Sequence, residues 1–447
     1  MATPDDQLDI VLGDEGAEQA PTRRRLSGNL WRHPDFLKLW GAQTVSQLGS
    51  QITLLALPLT AVLILRATPV QMGLLGAVGA APTLLLGLFV GVWVDRRRRR
   101  PILIAADLLR AALLMLIPVA ALSGVLRIEL LYAVALLAGL GTLFFDIAYR
   151  SLLPSLVRRE QLVEGNSKLE MSRSAAEIGG PGLAGALVRL AGAPVAIAAD
   201  ALSFLISALV LARLRTPEPV SRSHERQRIR EEIGEGLRIV IGKPLLRAIA
   251  GCTGSLILFS SMMEAVFVLY VARELGVGPG LIGLIFASGN VGFLVGALLA
   301  GRVTRHVGLG PALIGAPILI GIGDLLIPLA SGPFVVVVLL LAAAQFLFGL
   351  GLTIYNINQV SLRQALTEER LQGRMNATIT LIAWGGAPIG ALVGGALGEA
   401  IGLRATLLVA AIGELCAILW LWFSPLRALR EHPAPVELRD ERLEIAL

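Results

Sequence analysis

Residues 87–100 read Gly87-Leu88-Phe89-Val90-Gly91-Val92-Trp93-Val94-Asp95-Arg96-Arg97-Arg98-Arg99-Arg100, and apolar sequence resumes at Pro101-Ile102-Leu103-Ile104. One apolar run therefore ends in an aspartate and five arginines, and a second begins at once. A cationic cluster of this size stays out of hydrocarbon, so the two runs behave as membrane helices joined by a tight loop on one side of a bilayer. Reading outward in both directions gives twelve such runs: 36–65, 70–94, 101–123, 129–152, 172–190, 194–213, 245–271, 280–301, 311–330, 334–357, 374–398 and 404–424. Each approaches or exceeds the roughly 20 residues that cross a bilayer. The composition agrees, since 55% of the 447 residues are hydrophobic and only 16% are charged. A soluble domain is about 25% charged, so a water-soluble fold is nearly excluded.

The basic residues alternate from loop to loop. Lysine and arginine total 39. Counting from the tail and first turn of span 1 through every second loop to the C-terminal tail collects 33 of them, the opposite loops hold Arg66, Arg127, Arg189, Arg273 and Arg404, and Arg110 lies within span 3. Positive charge is retained on the cytoplasmic side, which puts both termini there, in a multi-pass protein of a bacterial inner membrane. The first thirty residues lack an apolar core and are read as a cytoplasmic tail without a cleaved signal.

The chain divides into a tail (1–35), six spans (36–213), a cytoplasmic linker (214–244), six further spans (245–424) and a second tail (425–447). In the linker Ile229, Ile233, Leu237 and Val240 recur at helical spacing among Arg226, Arg228, Arg230 and Arg238, the pattern of an amphipathic helix on the membrane surface. Gly242-Lys243-Pro244 mimics a phosphate loop without its spacing, its Ser or Thr, or a preceding strand, so ATP hydrolysis is unsupported. The halves repeat each other: Gly87, Gly91, Asp95 and Arg96 align with Gly296, Ala300, Thr304 and Arg305, Asn166 with Asn376, and Pro181 with Pro388. Parallel repeats of this kind build transporters from two pseudo-symmetric six-helix halves. The expected fold is thus an all-α membrane protein of twelve transmembrane helices, with no enzymatic activity, no cofactor, no metal and no nucleic-acid partner. Cys252 and Cys416 sit inside apolar runs, and the four histidines fall outside them.

The stretch from Gly91 through Asp95 and Arg96 to Arg99 and Arg100 resembles the helix 2 to 3 signature of the major facilitator superfamily. Five arginines alone would serve equally as a stop-transfer anchor; the Gly-x-x-x-Asp spacing and the second, degenerate copy favour the family. Arg98 replaces the usual glycine before the basic pair. The resemblance implies that Asp95 meets the start of span 11, near Arg374, when the cytoplasmic side is closed, with Asp146 of span 4 as the anion for Arg99. Gly180-Pro181-Gly182-Leu183-Ala184-Gly185 is similar to the signature of exporting antiporters in that superfamily, against the alternative of an ordinary proline kink. With Leu39-Trp40-Gly41, Ala105 to Arg110, Leu153-Pro154 and Arg173 to Ala176, nearly the whole chain looks like the drug-to-proton antiporter branch containing macrolide efflux proteins and the enterobactin exporter. Span 4 lacks that superfamily's arginine motif between Leu131 and Phe144.

Ionisable residues inside membrane spans are costly and mark function. Asp107 and Arg110 form a same-face pair, as do Arg173 and Glu177. Asp200, Glu264 and Asp324 have no cation within a turn of their own helix and are the proton-coupling candidates, with Glu264 in the outer third of span 7 first and Asp107 next. Gln43, Gln47 and Gln51 make a polar stripe on span 1 that either bonds neighbouring helices or lines a water-filled cavity. The function expected is proton-coupled efflux of a small amphipathic compound by a monomer; a metabolite importer and a transport-inactive sensor or scaffold on the same fold remain alternatives.

Overall fold

In hydrocarbon a backbone amide finds no water, so an apolar run must close its hydrogen bonds within a helix. The computed structural model describes residues 30–158, 161–214 and 229–429, and among these it contains thirteen α-helices. They are α1 (Pro34–Leu63), α2 (Pro69–Asp95), α3 (Arg99–Leu122), α4 (Ile128–Leu156), α5 (Leu162–Ala191), α6 (Ala193–Leu211), α7 (Ile229–Gly242), α8 (Pro244–Arg273), α9 (Pro279–Val307), α10 (Leu309–Leu329), α11 (Phe334–Ala365), α12 (Glu369–Ile401) and α13 (Leu403–Trp422). Twelve carry the twelve apolar runs, and α7 lies in the linker.

Eleven are long and apolar enough to cross a bilayer. The twelfth, α5, starts ten residues before its apolar run because Asn166, Lys168, Glu170 and Arg173 continue the helix beyond the hydrocarbon. Helix propensity does not end where the lipid does. Local chemistry marks the starts: Pro34, Pro69, Pro244 and Pro279 occupy first positions, where a missing N–H is harmless, and Thr68 with Gln71 closes a capping box before α2. Gly192 and Gly402, with φ of +87° and +88°, turn α5 directly into α6 and α12 directly into α13.

The packing repeats as the sequence does. In the first six helices α1 packs on α5 and α6, α2 on α4, and α3 on α4 and α6; in the last six α8 packs on α12 and α13, α9 on α11, and α10 on α11 and α13. The two groups meet chiefly through α2 against α12 and α5 against α9. Alternate loops place Arg96 to Arg100, Arg302, Arg305 and Arg374 at one end of the bundle, called here the arginine-rich face.

Cations at that face close helix ends. Arg100 donates through Nε to the Leu211 carbonyl at 3.1 Å and through Nη2 to that of Ala212, Lys38 donates to the Arg213 carbonyl at 3.0 Å, and Lys243 donates to the Leu366 carbonyl at 2.6 Å. The terminal carbonyls of α6 and α11 thereby receive both a donor and a favourable charge.

The linker contains the helix that its periodicity predicts. α7 is docked on protein along one edge: Val240 is buried with Leu246 and Ala250 of α8 and Met375 and Ile379 of α12, and Glu235 pairs with Arg374. A Cβ on Gly236 would stand 2.6 Å from the Arg374 carbonyl oxygen. Leu237 and Ile241 remain exposed. The side chains of Ile229 and Ile233, together with Arg226 and Arg228, lie outside the described residues. Periodicity identifies an apolar stripe; it does not say whether lipid or a neighbouring helix covers it.

Candidate functional site

The seam between the two helix groups is made by glycine against glycine. A Cβ on Gly73 of α2 would lie 2.8 Å from Cα of Gly395 on α12, and one on Gly283 of α9 would lie 3.0 Å from Cα of Gly185 on α5. The two crossings are copies of each other, since Gly283 follows Gly73, and Gly395 follows Gly185, by 210 residues. The flanking carbonyls are equally close, with a Cβ on Gly185 falling 2.6 Å from Pro279 O and one on Gly395 2.7 Å from Pro69 O. Pro181 brings its carbonyl against Gly283, while Gly180 packs on Gln51 of α1. Within the Gly180 to Gly185 motif, then, Pro181 and Gly185 belong to the seam and Gly180 to the inside of its own half.

Both crossings lie at the ends of the helices remote from the arginine-rich face. Gly91 is 18 residues after Gly73, five turns along the same face of α2. Contact fades over that distance. Leu84 is still 3.8 Å from the Cβ position of Gly385, whereas Cβ atoms on Gly87, Gly91 and Gly373 would meet nothing within 4 Å. α2 and α12 therefore touch at one end and splay at the other, leaving the bundle open toward the arginine-rich face. Asp95 is the last residue of α2, with its side chain outside the described residues, and Arg96 caps that helix through its backbone N–H. Arg99 and Arg100 open α3. Arg374, at the expected meeting point, pairs with Glu235 in this open arrangement.

A few polar side chains near the seam and within the spans remain accessible. Ala265 of α8 is buried against Ala77 of α2 and Ala391 of α12, so this stretch of α8 faces the seam. The adjoining Glu264 has an exposed side chain. Asp146 of α4 and Asn356 of α11, again 210 residues apart, are likewise exposed. In the glutamine stripe Gln47 and Gln51 are half-buried, and Gln43 is buried with an oxygen that receives no hydrogen bond.

Each half also seals acids among its helices. In the first half Arg110 pairs with Asp107, and its guanidinium lies over the rings of Phe145 at 4.4 Å and Phe204 at 4.0 Å. Asp146 and Asp200 are its other electrostatic neighbours, and Ser203 donates to Asp200 at 3.0 Å. Asp200, without a cation on its own helix, thus receives one from α3. The cations around Asp146 are Arg110, Arg150 and Arg173. In the second half Asp324 of α10 and Glu414 of α13 are electrostatic neighbours, and Ser260 of α8 donates to Glu414 Oε1 at 2.6 Å. In sequence Glu414 is one more acid within the last span, and nothing there pairs it with Asp324; packing of α10 on α13 joins residues 90 positions apart. The signal that could have found it is the repeat, because the equivalent helices α3 and α6 carry Asp107 and Asp200.

Two expectations follow. Gly73→Val and Gly283→Val each overpack a backbone contact, at about 1–3 kcal/mol, and should raise cysteine labelling of the seam from the arginine-poor face; unchanged labelling in both would mean that the crossings are not the seal. Arg110→Ala leaves buried carboxylates uncompensated and should cost about 3–5 kcal/mol, read as a lowered unfolding midpoint in detergent, with Asp107→Asn in the same chain recovering part of the loss.

The whole arrangement has known counterparts. The chain is 28% identical over 399 residues to the multidrug efflux pump Tap of Mycolicibacterium fortuitum, covering 87% of this chain and 94% of that one. It is 26% identical over 386 residues to macrolide efflux protein A of Streptococcus pyogenes, covering 85% and 93%. Among solved structures, a bacterial homologue of the iron transporter ferroportin in its inward-facing state superposes with a TM-score of 0.71 at 20% identity, covering 87% of this chain and 98% of that one. The same homologue in its outward-facing state, with the same coverage, scores 0.54 at 20% identity. Residues 29–446 match the major facilitator family described as transmembrane secretion effectors, and the chain belongs to that family.

Proposed function

We propose that this protein exports a small amphipathic compound, a drug or a secondary metabolite such as a siderophore, by alternating access driven by protons. One observation carries the reading: the halves are sealed by glycine crossings at one face and splayed at the other, with the exposed carboxylate of Glu264 next to the seam residue Ala265. Rocking about such a seam exposes a midplane site to each side in turn. The arginine-rich face is taken as cytoplasmic, with both termini there, in a bacterial inner membrane and as a monomer; the 33 to 5 distribution of basic residues supports this orientation. Outward direction is supported by the efflux functions named for the two curated relatives and by the antiporter-like Gly180 to Gly185 stretch.

In this reading the arginine-rich face closes when Asp95 meets the start of α12. A carboxylate is favoured at that helix N-terminus, and Arg374 would exchange Glu235 for the new partner while Asp146 approaches Arg99. Asp95→Asn should then insert normally, because the topology-setting arginines remain, but transport poorly or not at all. A purified variant working at the wild-type rate removes the gate contact.

Proton coupling requires a carboxyl group that is neutral in one access state and ionised in the other, and a wet cavity on one side of the cycle supplies the change of surroundings. Glu264 is the first choice, with Asp200, Asp324 and Asp107 behind it. Glu264→Gln should keep macrolide exchange across vesicle membranes while losing accumulation driven by a pH difference. Direction is tested by deleting the gene and measuring retention of an added macrolide antibiotic: an exporter's loss raises the internal amount, an importer's lowers it, and a scaffold leaves it unchanged.

A further inference from the structure

The second half holds a set of side chains that form a path rather than a site. Glu414 is fully buried, Asp324 is 3% exposed, the two are electrostatic neighbours, and no lysine or arginine accompanies them among the described residues. Two neighbouring carboxylates buried without a cation cannot both stay ionised. The pair is therefore taken to hold at least one proton and a net charge no more negative than minus one. Oε2 of Glu414 receives no donor from any described N–H or O–H group, so a carboxyl proton is what completes it.

Ser260 connects this sealed pair to the cavity. Its hydroxyl donates to Glu414 Oε1 at 2.6 Å, yet the residue is only half-buried. Glu264 lies four residues further along α8, where side chains of one helical face stand about 5–6 Å apart, and Glu264 is exposed. Facing groups on the surrounding elements do not interfere. Glu264, Tyr270 and Arg273 are the ionisable residues in the same half of α8; α9, α10, α11 and α12 contribute none there besides Asp324 until Glu399 near the end of α12. On α13 Arg404 is engaged, donating to the Pro328 carbonyl at 2.7 Å.

The geometry points to a proton relay in which Glu264 collects a proton from the cavity, Ser260 passes it, and the Glu414–Asp324 pair stores it. A proton reaching the Ser260 oxygen through cavity water releases the Ser260 hydroxyl proton to Glu414 Oε1 while the proton on Glu414 Oε2 passes to the Asp324 carboxylate; the pair goes from one proton to two and from a charge of minus one to zero. The reverse hop empties it. The driving difference is hydration, since a lone buried negative charge is costly and becomes tolerable when water reaches Ser260. This relay rests on the proton-driven reading above and adds two members to it, Ser260 and Glu414.

Infrared difference spectroscopy on the purified full-length protein tests the relay without any substrate. The wild type should show the carbonyl stretch of a protonated acid, absent from Glu414→Gln with Asp324→Asn, whose proton exchanges rapidly in deuterium oxide. Ser260→Ala should slow that exchange, and Ser260→Thr, which keeps the hydroxyl, should restore it. In liposomes with a macrolide as probe, Ser260→Ala should retain counterflow and lose accumulation under an imposed pH difference. Absence of the carboxylic band in the wild type, or equal exchange rates in the Ala and Thr variants, overturns the relay. If the band and its exchange behave as expected but wild-type vesicles exchange the macrolide without responding to pH, the coupling assignment fails and the relay's link to transport goes with it. If wild type and Ser260→Ala both accumulate the macrolide equally, the relay alone fails.

Discussion

Backbone-to-backbone contact between Gly73 and Gly395, and between Gly185 and Gly283, is the constraint on which the rest depends. Inside a bilayer the lipid tails are as apolar as any side chain, so two helix groups gain nothing by burying leucines against each other. What holds them is dispersion at short range, available only where no Cβ intervenes. Both crossings lie at the arginine-poor face, and beyond them α2 and α12 diverge until Gly87 and Gly91 touch nothing. A contact confined to one end seals that end and leaves the other free to move. The same small residues that hold the halves together thus define where they part.

Within each half the electrostatics follow from the absence of water. The first half surrounds one guanidinium with Asp107, Asp146 and Asp200 and sandwiches it between Phe145 and Phe204, an arrangement in which every acid added is answered by the same cation or by a proton. Among the described residues no cation accompanies Asp324 and Glu414 in the second half, and the two acids are each other's charged neighbours. The two halves share a scaffold and differ in the charge it carries. In a protein built from a repeat, that difference is where the halves acquire separate tasks.

The arginine-rich face shows how one residue type performs two duties. Arg100 adds its charge to that face, and in the folded chain it also closes the carboxyl end of α6, 111 residues away in sequence. Arg374 likewise adds to that face and anchors the linker helix through Glu235. Topology requires only the charge, so the more specific partner of each arginine is invisible to a count of loops.

Twelve spans, their alternation across the bilayer and their six-plus-six repeat were determined by the sequence alone, because hydrocarbon thickness, the cost of buried charge and the placement of arginine act on local composition. The Asp107 and Arg110 pair was equally legible, since three residues on one helix fix a shared face. Two glycines 322 positions apart, as Gly73 and Gly395 are, announce nothing about each other; nor do Asp324 and Glu414, or Ser260 and the carboxylate it donates to. That α7 packs along one edge on α8 and α12, and that Glu264 adjoins a residue buried between α2 and α12, were decided only by tertiary structure. Helical periodicity specifies a direction around one axis, and only the packing of the other helices determines what lies in that direction.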